Sequence, residues 1–209
     1  MIRLLVADDH PIVRDGLRQI LLKAPDIRIV DEAGTGEEAL RKLRRRSFDV
    51  VILDIALPGM SGLEVLKRIK MRTPGLPVLM LSMYPEEHYA GWTLKMGASG
   101  FVGKENFSSD IIAAIRKVAS GRDFISASLA EKIAIRQRSG RKSPHERLSP
   151  REYQIMCMLA SGKAVGAVAR ELSLSVKTVD THRARILEKL DLRNNVGIAR
   201  YALEHHLIS

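Results

Sequence analysis

Cysteine is nearly absent from this chain: Cys157 is the single one among 209 residues. That excludes an intrachain disulfide and a cysteine-rich zinc site. Flanked by Met156 and Met158 in a helical pattern, Cys157 is expected to be a buried core residue rather than a reactive thiol. Long apolar runs are missing too, since none approaches the roughly 20 residues needed to cross a bilayer. The N-terminus runs straight into Ile2-Arg3-Leu4-Leu5-Val6, without the basic region, apolar stretch and cleavage site of a secretory leader. A cytoplasmic chain with no membrane partner is the expectation. No internal repeat is visible. At 45% hydrophobic and 28% charged residues, the composition is that of an ordinary folded chain, and its length suits one large domain or two small ones.

Positive charge is in excess, at a formal +10, and it is unevenly spread. Residues 125–209 hold 15 Lys+Arg against 8 Asp+Glu, whereas residues 1–124 hold 19 against 16. A basic C-terminal part suits a nucleic-acid partner, although a solvated basic surface would read the same way.

Along the first 120 residues, short Val/Ile/Leu-rich runs alternate with helical spacings. The runs are Leu4 to Ala7, Ile27 to Val30, Val50 to Leu53, Val78 to Leu81, and Phe101-Val102. They lack strict alternation, as befits strands buried on both faces. Helical stripes appear at Val13, Leu17, Ile20 and Leu21; at Leu63, Leu66 and Ile69; and at Ile111, Ile115 and Val118. Pro11 and Pro85 suit first helical turns. Five such alternations predict a parallel sheet covered by helices on both faces. Residues 134–147 are polar and basic and read as a flexible linker. Beyond Leu148 four short helices are expected, at about 150–161, 165–172, 176–190 and 195–206. Ser149 and Ser175 are the candidate caps of the first and third.

Asp8 and Asp9 follow the first predicted strand and Asp54 the third. Ser82 and Lys104 follow the fourth and fifth. In an open α/β sheet the ligand crevice lies outside these strand ends. Crowded carboxylates repel one another, and a hard cation such as Mg²⁺ relieves this through oxygen ligands. A hydroxyl, an ammonium and Mg²⁺ beside one carboxylate suit an aspartyl phosphate formed on Asp54, with Lys104 neutralising phosphoryl charge. Taken singly, each residue is an ordinary turn, cap or surface group. Their recurrence at successive strand ends carries the reading.

These segments, Leu5-Val6-Ala7-Asp8-Asp9-His10-Pro11, Val51-Ile52-Leu53-Asp54 with Leu57-Pro58-Gly59-Met60, Leu81-Ser82-Met83 and Gly97 to Lys104, resemble bacterial receiver domains. The resemblance implies an α/β flavodoxin-like fold with a five-stranded parallel sheet over residues 1–121. It implies Asp54 as phosphoacceptor, and Asp9 and the carbonyl of Ala56 as Mg²⁺ ligands. Asp8 would reach the metal through water. Ser82 and Phe101 would be the switch pair, and Lys104 would contact the phosphoryl group. A haloacid-dehalogenase phosphatase also uses an Asp after a strand. It needs a second acid two residues later, where this chain has Ala56.

Near the C-terminus, Val165, Val168, Ala169 and Leu172 share one helical face. After Ser173-Leu174-Ser175, the stripe Val179, His182, Ile186 and Leu190 faces inward, with Lys177, Thr181, Ala184, Arg185 and Glu188 opposite. By periodicity alone, a small helical bundle and a major-groove reader fit equally. Leu148 to Glu152 and Ser175 to Leu190 resemble the LuxR-type helix-turn-helix of NarL/FixJ-type response regulators. That resemblance implies an all-α DNA-binding domain over residues 147–209, joined by a linker at 122–146. It also implies a sensor histidine kinase as phosphodonor, and a homodimer held partly by the fourth helix. Lys177, Thr178, Asp180, Thr181, His182, Ala184 and Arg185 are the expected DNA contacts. Two positions depart from the family pattern: Val165-Gly166-Ala167 replaces a polar helix start, and Asp180 stands where lysine is common. Taken together, a phosphorylation-controlled transcription regulator is expected rather than an enzyme; a signalling adaptor binding protein or RNA is the alternative. His205-His206, Arg44-Arg45-Arg46, Tyr84 and Trp92 are expected to be ordinary surface groups.

Overall fold

The computed structural model of the chain describes residues 1–82, 86–104, 107–126, 130–131, 143–205 and 207–208. Tyr84, Pro85, His206 and linker residues 134–142 lie outside the described residues. The chain divides into two compact units, residues 1–138 and 139–209.

In the first unit five parallel strands form one sheet: β1 (Ile2–Ala7), β2 (Ile27–Ala33), β3 (Val50–Asp54), β4 (Val78–Ser82) and β5 (Gly100–Gly103). Their spatial order is β2-β1-β3-β4-β5. Helices α1 (Pro11–Leu21), α2 (Gly36–Arg45), α3 (Gly62–Arg72), α4 (Glu86–Lys95) and α5 (Phe107–Ala119) alternate with them. The strands are longer than their apolar runs because polar residues such as Asp31 and Glu32 stay in the parallel ladder with β1.

Successive strand residues point to opposite faces. Leu4, Val6, Ile52, Leu79, Leu81 and Val102 pack with Leu17, Leu21, Ile111, Ile115 and Val118 of α1 and α5. The intervening Leu5, Val51, Leu53, Met80 and Phe101 are equally buried, which is why the strand sequences do not alternate. α1 opens with Pro11, a position that needs no amide donor. α2 is capped by Thr35, whose side chain accepts from the Glu38 amide. α3 is closed by a reciprocal box between Ser61 and Glu64.

Two glycines permit close backbone approach. A Cβ on Gly62 would sit 1.9 Å from the Asp54 carbonyl oxygen, so a side chain there would push α3 off the end of β3. A Cβ on Gly100 would sit 2.7 Å from the Phe124 carbonyl oxygen. That crowding exists because the chain after α5 returns along β5. The Phe101 amide donates to the Phe124 carbonyl at 3.1 Å, and the Phe124 amide to the Ser99 carbonyl at 2.8 Å.

The second unit contains a short 3₁₀ turn (Pro144–Arg147) and four helices, α6 (Pro150–Ala160), α7 (Val165–Glu171), α8 (Val176–Leu190) and α9 (Asn195–Glu204). Val168, Ala169, Leu172, Val179, Ile186 and Leu190 are buried, as the stripes predict, and so is Cys157. The segment expected to be a linker is ordered at both ends. Phe124 is tied to β5. At the other end His145 is buried, with its Nδ1 3.0 Å from the Tyr201 hydroxyl. Among the described residues no helix is long and apolar enough to cross a membrane.

Candidate functional sites

The strand order reverses direction at β1 and β3, and the acidic residues cluster at the carboxyl ends of those two strands. This is the crevice that such sheets use for ligands. Asp8 follows β1 directly, and its Oδ1 accepts from the His10 amide at 2.9 Å, turning the chain into α1. Asp54 is the last residue of β3, and its Oδ1 accepts from the Ala56 amide at 3.2 Å. Lys104 follows β5 and lies 2.7 Å from both Asp8 Oδ2 and Asp54 Oδ2. Its own amide donates to the Ser82 carbonyl at 2.8 Å.

Register explains the convergence. Asp54 lies opposite Leu81 and Ser82 opposite Gly103, so β3, β4 and β5 end in step and present their next residues to one crevice. Asp8, Asp54 and Ser82 are almost fully buried, while Asp9 is partly exposed. Phe101 is fully buried on β5 beside Met80.

Charge in this crevice is unbalanced. Burial pushes the Asp54 carboxyl above its ordinary range, Lys104 pulls it back, and Asp8 adds to the rise. Burial disfavours the Lys104 ammonium, but Asp54 and Asp8 together hold it above the ordinary lysine range. One ammonium therefore faces two buried carboxylates, with Asp9 beside His10 at the same strand end. Ligand atoms of Asp8, Asp9, His10 and Asp54 all lie within 4.8 Å of one another. Carboxylate oxygens in that number, with residual negative charge, suit a hard divalent cation.

Two residues of this cluster carried no role in the sequence reading. His10 places its Nδ1 2.7 Å from Asp9 Oδ1, and its adjacency to Asp8-Asp9 was the available signal. Arg14, one turn into α1, donates to the Asp8 carbonyl at 2.5 Å and to Glu32 at 2.9 Å. It thereby fixes the loop between β1 and α1. The pairing with Glu32, 18 residues away, leaves no local trace in the sequence.

In the second unit, α7 and α8 meet through the turn at Leu172–Ser175. Ser173 takes a left-handed conformation there (φ 52°), and the Leu174 amide bonds the Ala169 carbonyl at 2.8 Å. Ser175 caps α8 by accepting from the Thr178 amide at 3.0 Å. Lys177, Asp180, Thr181, Ala184 and Arg185 are exposed together on α8, with Thr178 half-buried at their edge. His182 stands apart. It is half-buried, its Nδ1 has no hydrogen-bond partner among the described residues, and burial holds its imidazole below the ordinary histidine range. Asp180 lies 3.6 Å from Arg183, whose Nε donates to Asn195 Oδ1 at 2.7 Å.

Comparison with known proteins agrees with both halves. The family model for the response regulator receiver domain matches residues 4–116, and that for bacterial regulatory proteins of the luxR family matches residues 146–202. The response regulator UvrY of Escherichia coli K12 is 36% identical over 209 residues, covering 99% of this chain and 96% of that protein. The transcriptional regulatory protein UhpA of the same organism is 41% identical over 200 residues, covering 96% and 97%. Among solved structures, RcsB from Salmonella enterica serovar Typhimurium bound to promoter P1flhDC in the presence of the phosphomimetic BeF₃⁻ is similar. Its TM-score is 0.61 and its identity 26%, over 96% of this chain and 97% of that one.

Proposed function

Because this chain belongs to the two-component response regulators, with a receiver domain followed by a luxR-type DNA-binding domain, we propose that it accepts a phosphoryl group on Asp54 from a sensor histidine kinase and, as a homodimer, regulates transcription by binding DNA through α8. The observation that carries this reading is Lys104, held 2.7 Å from the Asp54 carboxylate at the meeting point of three strand ends. An Asp54 oxygen forms a bond to phosphorus as the P–N bond of the donor phosphohistidine breaks, and the leaving electron pair and a proton stay with the imidazole. Lys104 swings its charge from the Asp8–Asp54 pair to a phosphoryl oxygen, a preorganised cation where charge has to be held. The Ser82 hydroxyl takes a second oxygen, and the fully buried Phe101 repacks with it. Asp9, Asp54 and the Ala56 carbonyl would hold Mg²⁺, with Asp8 as the acid reaching it through water, and the ion would supply further neutralisation of phosphoryl charge.

On DNA, Lys177, Thr181, Ala184 and Arg185 form the contact face in the major groove, with Thr178 at its margin. His182, half-buried beside this face, is among the less accessible of the expected DNA contacts. The domains run over residues 1–121 and 147–209, with the linker between them. A kinase phosphodonor and a DNA target support a cytoplasmic location. An enzymatic reading as a phosphatase lacks its second acid at Ala56.

The test has two arms. Acetyl phosphate with Mg²⁺ is expected to label the full chain at Asp54, and Asp54→Asn to abolish labelling while the fold survives. Labelling of the variant at another residue would overturn the assignment. The full chain is also expected to bind selected DNA with a steep salt dependence. Weak, salt-insensitive binding would favour an adaptor that binds protein or RNA.

A further inference from the structure

Arg44, Arg45 and Arg46 close α2, and a helix C-terminus stabilises a cation or two placed there. Their surroundings go beyond that. Arg68 and Arg72 come from α3 to the same groove, and Arg68 lies outside the last turn of its helix. Arg46 is 4.0 Å from Asp31, while the other four arginines have no ion-pair partner among the described residues.

The groove between these helix ends has a volume of about 780 Å³. Its floor is apolar, built from Leu40, Leu43, Phe48, Ile69 and Leu76, and no acidic side chain lines it. Phe48 and Ile69 are buried members of that floor, and Leu40, Leu43 and Leu76 are half-buried. The groove opens at the end of the sheet opposite the acidic crevice, since Phe48 precedes β3 and Asp54 ends it.

An apolar floor and five arginines lining one groove answer two demands at once. Helix dipoles require cations but no floor, and a solvated basic face leaves no concavity. The volume falls in the range of about 300–1,000 Å³ typical of small-molecule sites. Guanidinium forks match phosphate oxygens in paired hydrogen bonds. We propose that this groove is a binding site for an alkyl or aryl phosphate, its apolar body on the floor and its phosphate held by Arg44, Arg45, Arg68 and Arg72. The site is independent of the Asp54 chemistry and stands or falls separately.

Titration of the full chain with octyl phosphate below its micelle concentration, followed by calorimetry and amide NMR shifts, tests this. Saturable one-to-one binding is expected, with shifts at residues 40–48 and 69–76. Inorganic phosphate and octanol should each bind roughly tenfold more weakly or worse, because each lacks one half of the recognition. Arg68→Ala with Arg72→Ala, both on an exposed surface, should weaken octyl phosphate by a similar factor without changing the melting temperature. Lys at both positions should restore only part of the affinity, since the charge returns without the fork. No saturation, shifts confined to other surfaces, or affinity unchanged in the double variant would overturn the proposal. Inorganic phosphate binding as tightly as octyl phosphate would reduce the site to an arginine cluster and overturn it too. Preference for an acidic amphipathic peptide over octyl phosphate would assign the groove to a protein partner instead.

Discussion

Glu152 and Lys189 join the start of α6 to the end of α8. The Glu152 carboxylate takes the Ser149 amide at 2.6 Å and the Lys189 ammonium at 2.7 Å through the same oxygen. Glu152 is buried, while Lys189 is about one-third exposed. Glu152, in the first turn of α6, thus anchors the last turn of α8.

Glu152→Ala should destabilise the second unit by about 1–3 kcal/mol, because the Ser149 amide loses its partner and Lys189 rehydrates. Burial works to raise the Glu152 carboxyl, but Lys189 and the Ser149 amide outweigh it and hold it below its ordinary 4.5. A depressed carboxyl contributes stability that is full above the unfolded value and lost as pH falls through the folded one. The gap between wild type and Glu152→Gln in urea melts should therefore be constant from neutral pH to near pH 4.5, and close below it. A gap that widens in acid would contradict the pairing.

Lys104 neutralises part of a buried acidic pair, so its removal should be costly. Lys104→Ala is expected to lose about 3–5 kcal/mol in chelator, the scale for an uncompensated buried charge. Millimolar Mg²⁺ should recover part of that loss and raise the variant's melting temperature more than it raises wild type's. Equal Mg²⁺ responses in thermal melts would argue that the cation binds elsewhere.

Phosphorylation should alter assembly. Ser82 and Phe101 sit on neighbouring strands and can bias a two-state surface by a few kcal/mol at most, about 1–3. Sedimentation with Mg²⁺ and BeF₃⁻ should show a higher dimer fraction, and Ser82→Ala should blunt the rise. An unchanged distribution across micromolar concentrations would remove this switch.

Asp180 is exposed and leans toward Arg183 rather than standing alone. The expected role is a surface charge that tempers a basic helix. Asp180→Lys should tighten binding to all DNA and steepen the salt slope by about 1. Asp180→Ala should leave the preferred-site profile unchanged. Loss of discrimination at one base pair, by roughly 1–3 kcal/mol, would instead identify base readout of a cytosine amino group.

Burial pushes the Cys157 thiol up to about 12, so almost none is thiolate at neutral pH. A disulfide reagent should leave the native chain unmodified and label it stoichiometrically in denaturant. Rapid native labelling would show that α6 opens.

The sequence made the acidic crevice legible because each participant ends a strand, and strands buried on both faces announce themselves by composition. The C-terminal helices were legible through their caps, and Ser149 and Ser175 do cap α6 and α8. α2 offered no clear stripe, since Gly36–Arg45 holds only Ala39, Leu40 and Leu43 as apolar residues; its cap at Thr35 was the better signal. The turn at Pro144–Arg147 was hidden by its basic surroundings. Yet Ser143-Pro144-His145-Glu146 repeats the pattern of Ser149-Pro150-Arg151-Glu152, and the Ser143 amide donates to Glu146 at 3.1 Å. Pairs made at long range, such as Arg14 with Glu32 and Lys189 with Glu152, have no local signature and appear only once the chain has folded.

The return of the chain at Phe124 has one more consequence. β5 is an edge strand, and its sequence Gly-Phe-Val-Gly is short, apolar and uncharged, the kind of border onto which a strand from another molecule can add. Phe124 already occupies the Ser99 carbonyl and the Phe101 amide. The protein thus shields this border with its own backbone, and edge-to-edge aggregation there has to begin by peeling residue 124 away.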